Sequence, residues 1–210
     1  MNQYMTDAEL INKKSMQIIS RILGEVYFTA PELEIVKRTI LATADFHYAK
    51  ILKFNANPIK AGISSIRRGR TIVTDSPMTF SQASAKLLDH FGAKVKCYLE
   101  DSLEEEADAR NITVQMVAME RAAKECKNGI YVLGQEATAL FKLLELIEKE
   151  EVCPDLIIGV PVGFVGVTEA KEELQKIAIP SIVTEGRKGG GDVAIAIINA
   201  ISYLTDIDQD

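Results

Sequence analysis

Two periods of apolar residues divide the chain, and the change between them falls near Gly69. Before Gly69 the spacing is helical, and from Thr6 to Leu23 many apolar positions fall three, four or seven residues apart. These positions are Leu10, Ile11, Ile18, Ile19, Ile22 and Leu23. The spacing predicts an amphipathic helix that ends at Gly24.

A second helix is predicted to begin at the segment Thr29-Ala30-Pro31-Glu32. A threonine followed three residues later by a glutamate is typical of a capping box, and proline is well tolerated in a first helical turn. The helix is expected to continue through Ile35, Val36, Thr39 and Ile40. A shorter helix is predicted from Asn57 to Arg67, followed by a solvated basic turn, Arg67-Arg68-Gly69-Arg70.

After Gly69, short apolar runs alternate with helical patterns. The predicted strands are Thr71–Thr74, Val95–Leu99, Gly129–Leu133, Leu156–Val160 and Ser181–Thr184. The predicted helices are Thr79–Phe91, Leu103–Glu125, Thr138–Lys149, Thr168–Ile177 and Asp192–Tyr203. Such alternation predicts an α/β fold, a doubly wound, Rossmann-like parallel sheet with helices on both faces, preceded here by N-terminal helices.

Composition and charge narrow the class of protein. The chain has 210 residues, of which 47% are hydrophobic, which suits a single domain over residues 1–210. Its net charge of −6 argues against nucleic acid as a partner, because binding phosphates along a strand requires a dense basic surface. An anionic ligand must therefore meet a local basic patch.

Cysteines and termini indicate the compartment. Cys97, Cys126 and Cys153 show no metal-binding spacing, so we expect buried, reduced thiols and no metal site. The N-terminus lacks the basic start and apolar core of a targeting signal, and no apolar run approaches the roughly 20 residues of a membrane span. We therefore expect a cytoplasmic protein without a membrane partner.

Distinctive residues follow four of the predicted strands, at what would be one edge of the sheet. These segments are Asp75-Ser76-Pro77-Met78, Gly134 to Thr138, Pro161 to Val165 and Gly186 to Gly191. Ligands of doubly wound sheets bind at this edge, where helix N-termini and loop amides favour anions. The glycines match neither the Walker A nor the GxGxxG pattern, so the sequence predicts an anion pocket without favouring a nucleotide.

The same segments resemble the precorrin-8X methylmutase family over nearly the whole chain. The resemblance rests on Gly159-Val160-Pro161-Val162-Gly163-Phe164-Val165 and Gly186-Arg187-Lys188-Gly189-Gly190. Further matches are Lys14-Ser15-Met16, Ala42-Thr43-Ala44-Asp45-Phe46, Asp75-Ser76-Pro77-Met78, Gly134, Thr138-Ala139-Leu140, Glu169, Lys171, Pro180 and Asn199-Ala200.

The resemblance implies a homodimeric isomerase that moves a methyl group from C-11 to C-12 of a corrin-type macrocycle without a cofactor. An intramolecular shift requires that the protein hold one ring geometry and move a proton. The acetate and propionate arms of such a tetrapyrrole are anionic and suit basic side chains and backbone donors. By resemblance, the substrate-binding residues are Ser15, Leu41, Asp75, Met78, Thr138, Gly163, Arg187, Lys188, Gly189 and Gly190.

Two single positions and one loop depart from the family pattern; the loop reads Gly134-Gln135-Glu136-Ala137-Thr138 where the family has Gly-Asn-Ala-Pro-Thr. The family's acid histidine falls at Leu41, and an arginine of the long helix falls at Val114. His47 and Asp45 are the alternative acids: Asp45 shares the face of Leu41 if the helix continues, whereas His47 lies about 120° away. A solvent-facing His47 would argue against its role, and Asp45 could instead form a salt bridge. We interpret His90 as structural, favoured by a helix C-terminus.

Three functions remain open at this point. The first is the methylmutase. The second is a related non-catalytic protein that binds a corrinoid or another polycarboxylate tetrapyrrole, which Leu41 and Val114 favour. The third is a Rossmann-like enzyme for another anionic metabolite.

Overall fold

The computed structural model of the chain describes residues 6–78 and 82–207. The helices described are α1 (Ala8–Leu23), α2 (Ala30–Thr43), α3 (Tyr48–Ile51), α4 (Pro58–Arg67), α5 (Gln82–His90), α6 (Glu104–Arg110), α7 (Val114–Glu125), α8 (Ala137–Glu148), α9 (Val167–Lys176) and α10 (Gly191–Ile207). The strands are β1 (Leu52–Asn55), β2 (Ile72–Thr74), β3 (Val95–Cys97), β4 (Ile130–Leu133), β5 (Leu156–Gly159) and β6 (Ser181–Thr184).

The described strands form one six-stranded sheet in the order β1-β6-β5-β4-β2-β3. Five of them are parallel, which confirms the predicted doubly wound α/β architecture. The sixth, β1, was not predicted, and it pairs antiparallel with β6 at the edge of the sheet. Its sequence, Leu52-Lys53-Phe54-Asn55, is short and mixed in polarity because an edge strand is only half covered.

Alternate residues of each central strand enter two separate hydrophobic cores. In β4, Ile130 and Val132 join a core with α1 to α5 and α10, whereas Tyr131 and Leu133 join one with α6 to α9. Because both faces are covered, the strand is apolar throughout, as buried parallel strands are. Each helix layer therefore rests on a largely apolar sheet face.

The N-terminal helices begin at capping residues. Asp7 rather than Thr6 caps α1, and its Oδ1 accepts the N–H of Leu10 at 3.0 Å. The predicted capping box of α2 is confirmed, since Glu32 Oε2 accepts the N–H of Thr29 at 2.8 Å and Thr29 Oγ1 accepts that of Glu32 at 3.4 Å. Gly24 ends α1 as predicted.

The predicted helix Leu103–Glu125 is wrong as a single element. It is a short 3-10 turn at Asp101–Leu103 followed by α6 and α7, because Asn111 adopts a left-handed conformation and Thr113 then caps α7. Asparagine tolerates that conformation and threonine is a favoured N-cap, so both breaks have local causes. Residues 79–81 of the predicted helix Thr79–Phe91 lie outside the described residues.

Of two surface interpretations, that of the cysteines is corrected and that of the solvated basic turn is confirmed, since its arginines are exposed. All three cysteines are free, but Cys126 alone is buried, while Cys97 is partly and Cys153 fully exposed. In the basic turn, the side chains of Arg68 and Arg70 lie 3.3 Å and 3.9 Å from the Asp155 carboxylate. The turn precedes β2, so it lies at the amino edge of the sheet, away from the loops that follow the strands. None of the described helices is long and apolar enough to cross a membrane.

Candidate active site

The loops that follow β2 and β4 are joined by a buried carboxylate at the carboxyl edge of the sheet. Asp75 is 4% exposed, and its Oδ2 accepts the N–H groups of Gly134, Gln135 and Glu136 at 2.9, 2.7 and 3.3 Å. Burial raises the pKa of Asp75, an effect that these three hydrogen bonds oppose. The carboxylate holds the shape of the second loop, and direct contact of Asp75 with a substrate stays a prediction.

The loop from Gly186 to Gly189 turns all four of its carbonyls toward the protein. Gly186 O and Lys188 O accept from Lys171 Nζ at 3.0 and 2.8 Å. Arg187 O accepts the N–H of Gly163 at 3.2 Å, and Gly189 O accepts the hydroxyl of Tyr48 at 3.4 Å. Within the described residues, the N–H groups of Arg187 and Gly189 have no protein acceptor. They are therefore available to an anion.

Glycines allow this loop to lie directly against its neighbours. A Cβ at Gly189 would collide with the Val160 carbonyl oxygen, the same oxygen that accepts the N–H of Gly190 at 2.8 Å. A Cβ at Gly134 would come within 2.9 Å of Gly190 O. The loops after β4, β5 and β6 thus touch through their backbones, as the sequence interpretation of this edge expects.

Lys171 of α9 is buried behind the same loop. It is 1% exposed, it forms no ion pair within the described part of the chain, and burial lowers the pKa of its ammonium to about 8. The two carbonyls it bonds are its polar partners. Lys188 O also accepts a second hydrogen bond, from Thr184 Oγ1 at 2.7 Å.

The alternative acids lie where α2 has already ended. The helix stops at Thr43 and Ala44 is left-handed, so Asp45 does not continue the face of Leu41. Asp45 instead forms a salt bridge with Lys188 at 2.5 Å and accepts the N–H of His47. These contacts lower the pKa of Asp45, whereas an acid would need a raised one. The salt bridge expected as its alternative role is confirmed.

His47 precedes α3 and its side chain is exposed. By the criterion given above, this exposure argues against a proton-donating role, since a catalytic acid works best in a site that excludes water. The ring is also absent from the described residues that line the main cavity.

A cavity of about 940 Å³ follows α10 from Asp192 to Asp206, between α2 and α5. Its volume falls at the upper end of the range typical of small-molecule sites, roughly 300–1,000 Å³. It is lined by Arg38, Leu41, Ala42, Ser84, Lys86, Leu87, His90, Asp192, Ile195, Ala196, Asn199, Tyr203 and Asp206. Leu41, 39% exposed, contributes an apolar surface to this wall.

Three polar groups of the cavity can serve a ligand. His90 is the imidazole among the described lining residues, although sequence reasoning treated it as structural. Lys86 is exposed and has no ion-pair partner in the described part of the chain. The Oδ1 of Asn199 is buried and accepts no hydrogen bond from the described residues. Arg38 is already engaged, by Glu34 at 2.6 Å and by the Tyr203 ring at 4.2 Å.

The remaining predicted residues make separate contacts. Ser15 Oγ donates to Ile11 O at 2.8 Å, the back-bond of a mid-helix serine. Thr138 Oγ1 accepts from Thr113 Oγ1 at 3.0 Å, which ties α8 to the start of α7, where Val114 is partly buried. Met78 packs against the first core. Gly163 adopts φ +154°, and its N–H donates to the carbonyl of Arg187 in the basic loop, residues 186–191.

Sequence reasoning missed Lys171 and His90 as site residues. A signal for Lys171 was present, because Val167, Ala170, Lys171 and Leu174 repeat at the spacing of one buried helix face. A lysine at an apolar-face position requires internal acceptors. For His90 the useful signal was its spacing from Lys86 and Leu87 on α5, which places the three on one face.

Comparisons with known proteins agree with each other. The precorrin-8X methylmutase sequence family matches residues 10–204. A cobalt-precorrin-8 methylmutase of Priestia megaterium is 41% identical over 197 residues, covering 93% of this chain and 88% of the relative. One of Salmonella typhimurium is 39% identical over 207 residues, covering 95% and 97%. The crystal structure of a Thermus thermophilus precorrin-8X methylmutase superimposes with a TM-score of 0.82 at 32% identity, covering 96% and 98%.

Proposed function

Because the chain belongs to the precorrin-8X methylmutase family, we propose that its carboxyl-edge loops and the cavity beside α10 bind an anionic corrin and support a methyl shift on it. The chain is a methylmutase, an isomerase of cobalamin biosynthesis. The substrate we propose is cobalt-precorrin-8, after the names of the two curated relatives described above. Its methyl group would move from C-11 to C-12.

The observation that carries the proposed binding mode is the inward direction of the Gly186–Gly189 carbonyls. The N–H groups of Arg187 and Gly189 then lack a protein acceptor within the described residues, and the side chains of Arg187 and Lys188 are exposed. Backbone donors and basic side chains together suit the carboxylate arms of a corrin. The apolar wall of Leu41, Ala42 and Leu87 suits the ring itself.

In the proposed reaction, the protein holds the ring while the methyl group migrates within one molecule. No acceptor substrate is required, so positioning and one proton transfer are the work left to side chains. His90 is exposed, as His47 is, but it lines the cavity, where a bound substrate would cover it, and His47 does not, so we assign the proton transfer to His90. His90 replaces Asp45 and His47 in this role.

Nothing in the comparisons favours the non-catalytic alternative. Leu41 and Val114 remain departures from the pattern that the resemblance implies, and a binding protein would tolerate both. The two functions differ in one observable, which is conversion of bound substrate.

The test is incubation of the purified full-length chain with cobalt-precorrin-8 while the absorption spectrum of the ring is followed. We expect a spectral change that is first order in enzyme–substrate complex, and a product of unchanged mass. R187Q should raise KM about tenfold through loss of a charged donor, and K176Q, an exposed lysine on α9, should not. Tight binding without conversion would leave only the binding protein, and no binding would favour a different anionic metabolite.

We also propose that the chain is a cytoplasmic homodimer. The exposed apolar side chains of α1 support a second copy as its partner: Leu10, Ile11, Ile18 and Ile22 are 42–59% exposed. The free cysteines suit a reducing compartment. Light scattering of wild type and I18E distinguishes a dimer from a monomer, and cell fractionation tests the compartment.

A further inference from the structure

A buried lysine stands behind the loop that faces the substrate. Lys171 is almost wholly enclosed, yet no carboxylate pairs with it in the described part of the chain. Burying an ammonium is costly unless hydrogen bonds replace its water. The hydrogen bonds present, to Gly186 O and Lys188 O, both belong to one loop. The free-energy cost of burying the Lys171 ammonium is therefore offset by this one conformation of the loop.

The position of Lys171 explains how the loop is fixed. The residue is on α9, the helix that follows the Pro161–Gly166 loop, and it reaches across to the loop after β6. Two of the four inward carbonyls of the Gly186–Gly189 segment depend on its Nζ. Gly163 supplies a third bond through its own N–H, so the β5–α9 unit holds the loop at three points.

An apolar residue would pack in this position without such a link. Its neighbours on the buried face of α9, Val167, Ala170 and Leu174, are all apolar. While it is protonated, a positive charge behind peptide N–H groups adds to their attraction for an anion in front of them. The lysine side chain thus stabilises the loop and is not required for packing of the core.

We propose that Lys171 is a positioning residue for substrate binding: it holds the Gly186–Lys188 carbonyls inward so that the loop presents its N–H groups and basic side chains to the carboxylates of the substrate. This inference rests on the proposed function for the identity of the ligand. It does not depend on which residue transfers the proton.

The first test compares K171M with K176M, which removes an exposed lysine of the same helix. We expect K171M to raise KM for cobalt-precorrin-8, and Kd for the reaction product, at least tenfold with kcat within threefold of wild type. K171Q, which keeps an N–H donor, should recover part of the affinity. A folded K171M with unchanged KM and Kd overturns the proposal.

The second test needs no substrate. Hydrogen exchange of the amides of residues 186–190 should be faster in K171M than in wild type or K176M, while exchange in β4 stays the same. If K171M does not fold, K171Q serves in its place, because it loses the ammonium but keeps a polar end group. Unchanged loop exchange and KM in K171Q would then overturn the proposal. A wild type that shows no turnover defeats the proposed function but leaves this measurement intact.

Discussion

The Nζ of Lys188 lies 2.5 Å from Oδ2 of Asp45, a residue 143 positions earlier in the chain. This salt bridge joins the end of α2 to the basic loop after β6. Asp45 was a candidate acid in the sequence analysis. Pairing with Lys188 lowers the pKa of Asp45, so its carboxylate is poorly suited to donate a proton. Asp45 therefore holds the loop in position against the end of α2 and does not serve proton transfer.

D45N should accordingly leave kcat within about fivefold of wild type. Loss of a catalytic acid would reduce kcat about 10²- to 10⁴-fold. KM should change more than kcat, because Lys188 loses its anchor. Steady-state kinetics at neutral pH gives both constants, and a hundredfold fall in kcat with normal folding would restore Asp45 as the acid.

H90Q should lower kcat about 10²- to 10⁴-fold while product binding changes little, since the imidazole of His90 is assigned to proton transfer. H47Q is the matched control, a histidine outside the cavity lining, and should stay within twofold of wild type. Steady-state kinetics of wild type and both variants gives kcat and KM for the comparison. Equal activity of H90Q and wild type would remove His90 from the mechanism.

D75A should destabilise the protein by about 2–4 kcal/mol, because three loop N–H groups lose their acceptor and at least some are left without a replacement. S76A is the control, since Ser76 makes a single 3.5 Å contact to the other oxygen of Asp75. Urea unfolding monitored by circular dichroism measures both. Equal unfolding midpoints for D75A and wild type would show that the three hydrogen bonds to Asp75 do not contribute to stability.

Lys171 should make the free energy of unfolding rise between pH 8 and about 9.5. Folded Lys171 gives up its proton near pH 8 and the unfolded residue near 10.5, so in this window the unfolded chain binds more protons. Stability therefore increases with pH, at a rate of up to about 1 kcal/mol per pH unit. Above pH 10 the buried Tyr131, whose pKa is raised, works in the opposite direction.

The measurement is urea unfolding of wild type and K171M at several pH values across this window. Subtracting one curve from the other removes the contribution of groups that both chains share. A difference that does not change with pH would mean that Lys171 keeps its proton in the folded state.

The parallel core was readable from sequence because its signals are local and strong. Ser181–Thr184 was predicted with its observed bounds, and the Thr29–Glu32 capping box formed as expected. Each of these depends on residues adjacent in the chain. By contrast, β1 has no pattern of its own and becomes a strand because β6 offers it a free edge.

The site was readable only at the level of its loops. Glycines and basic residues after the strands indicated an anion pocket, but the partners of Asp45 and Lys171 lie far away in sequence. Asp45 was assigned a helical face that required α2 to continue, and a left-handed Ala44 ends that helix. The cavity itself arises from the packing of α2, α5 and α10, which periodicity does not specify.

The pairing of β1 with β6 also sets an order on the assembly of the chain. Leu52 is in register with Thr184, and α2 packs on α10, which ends at Ile207. During synthesis, the N-terminal helices therefore emerge long before the surfaces that cover them exist. Closing so long a loop is entropically costly and slows folding. Helix α2 is therefore synthesised before α10 but completes its packing only after α10 exists.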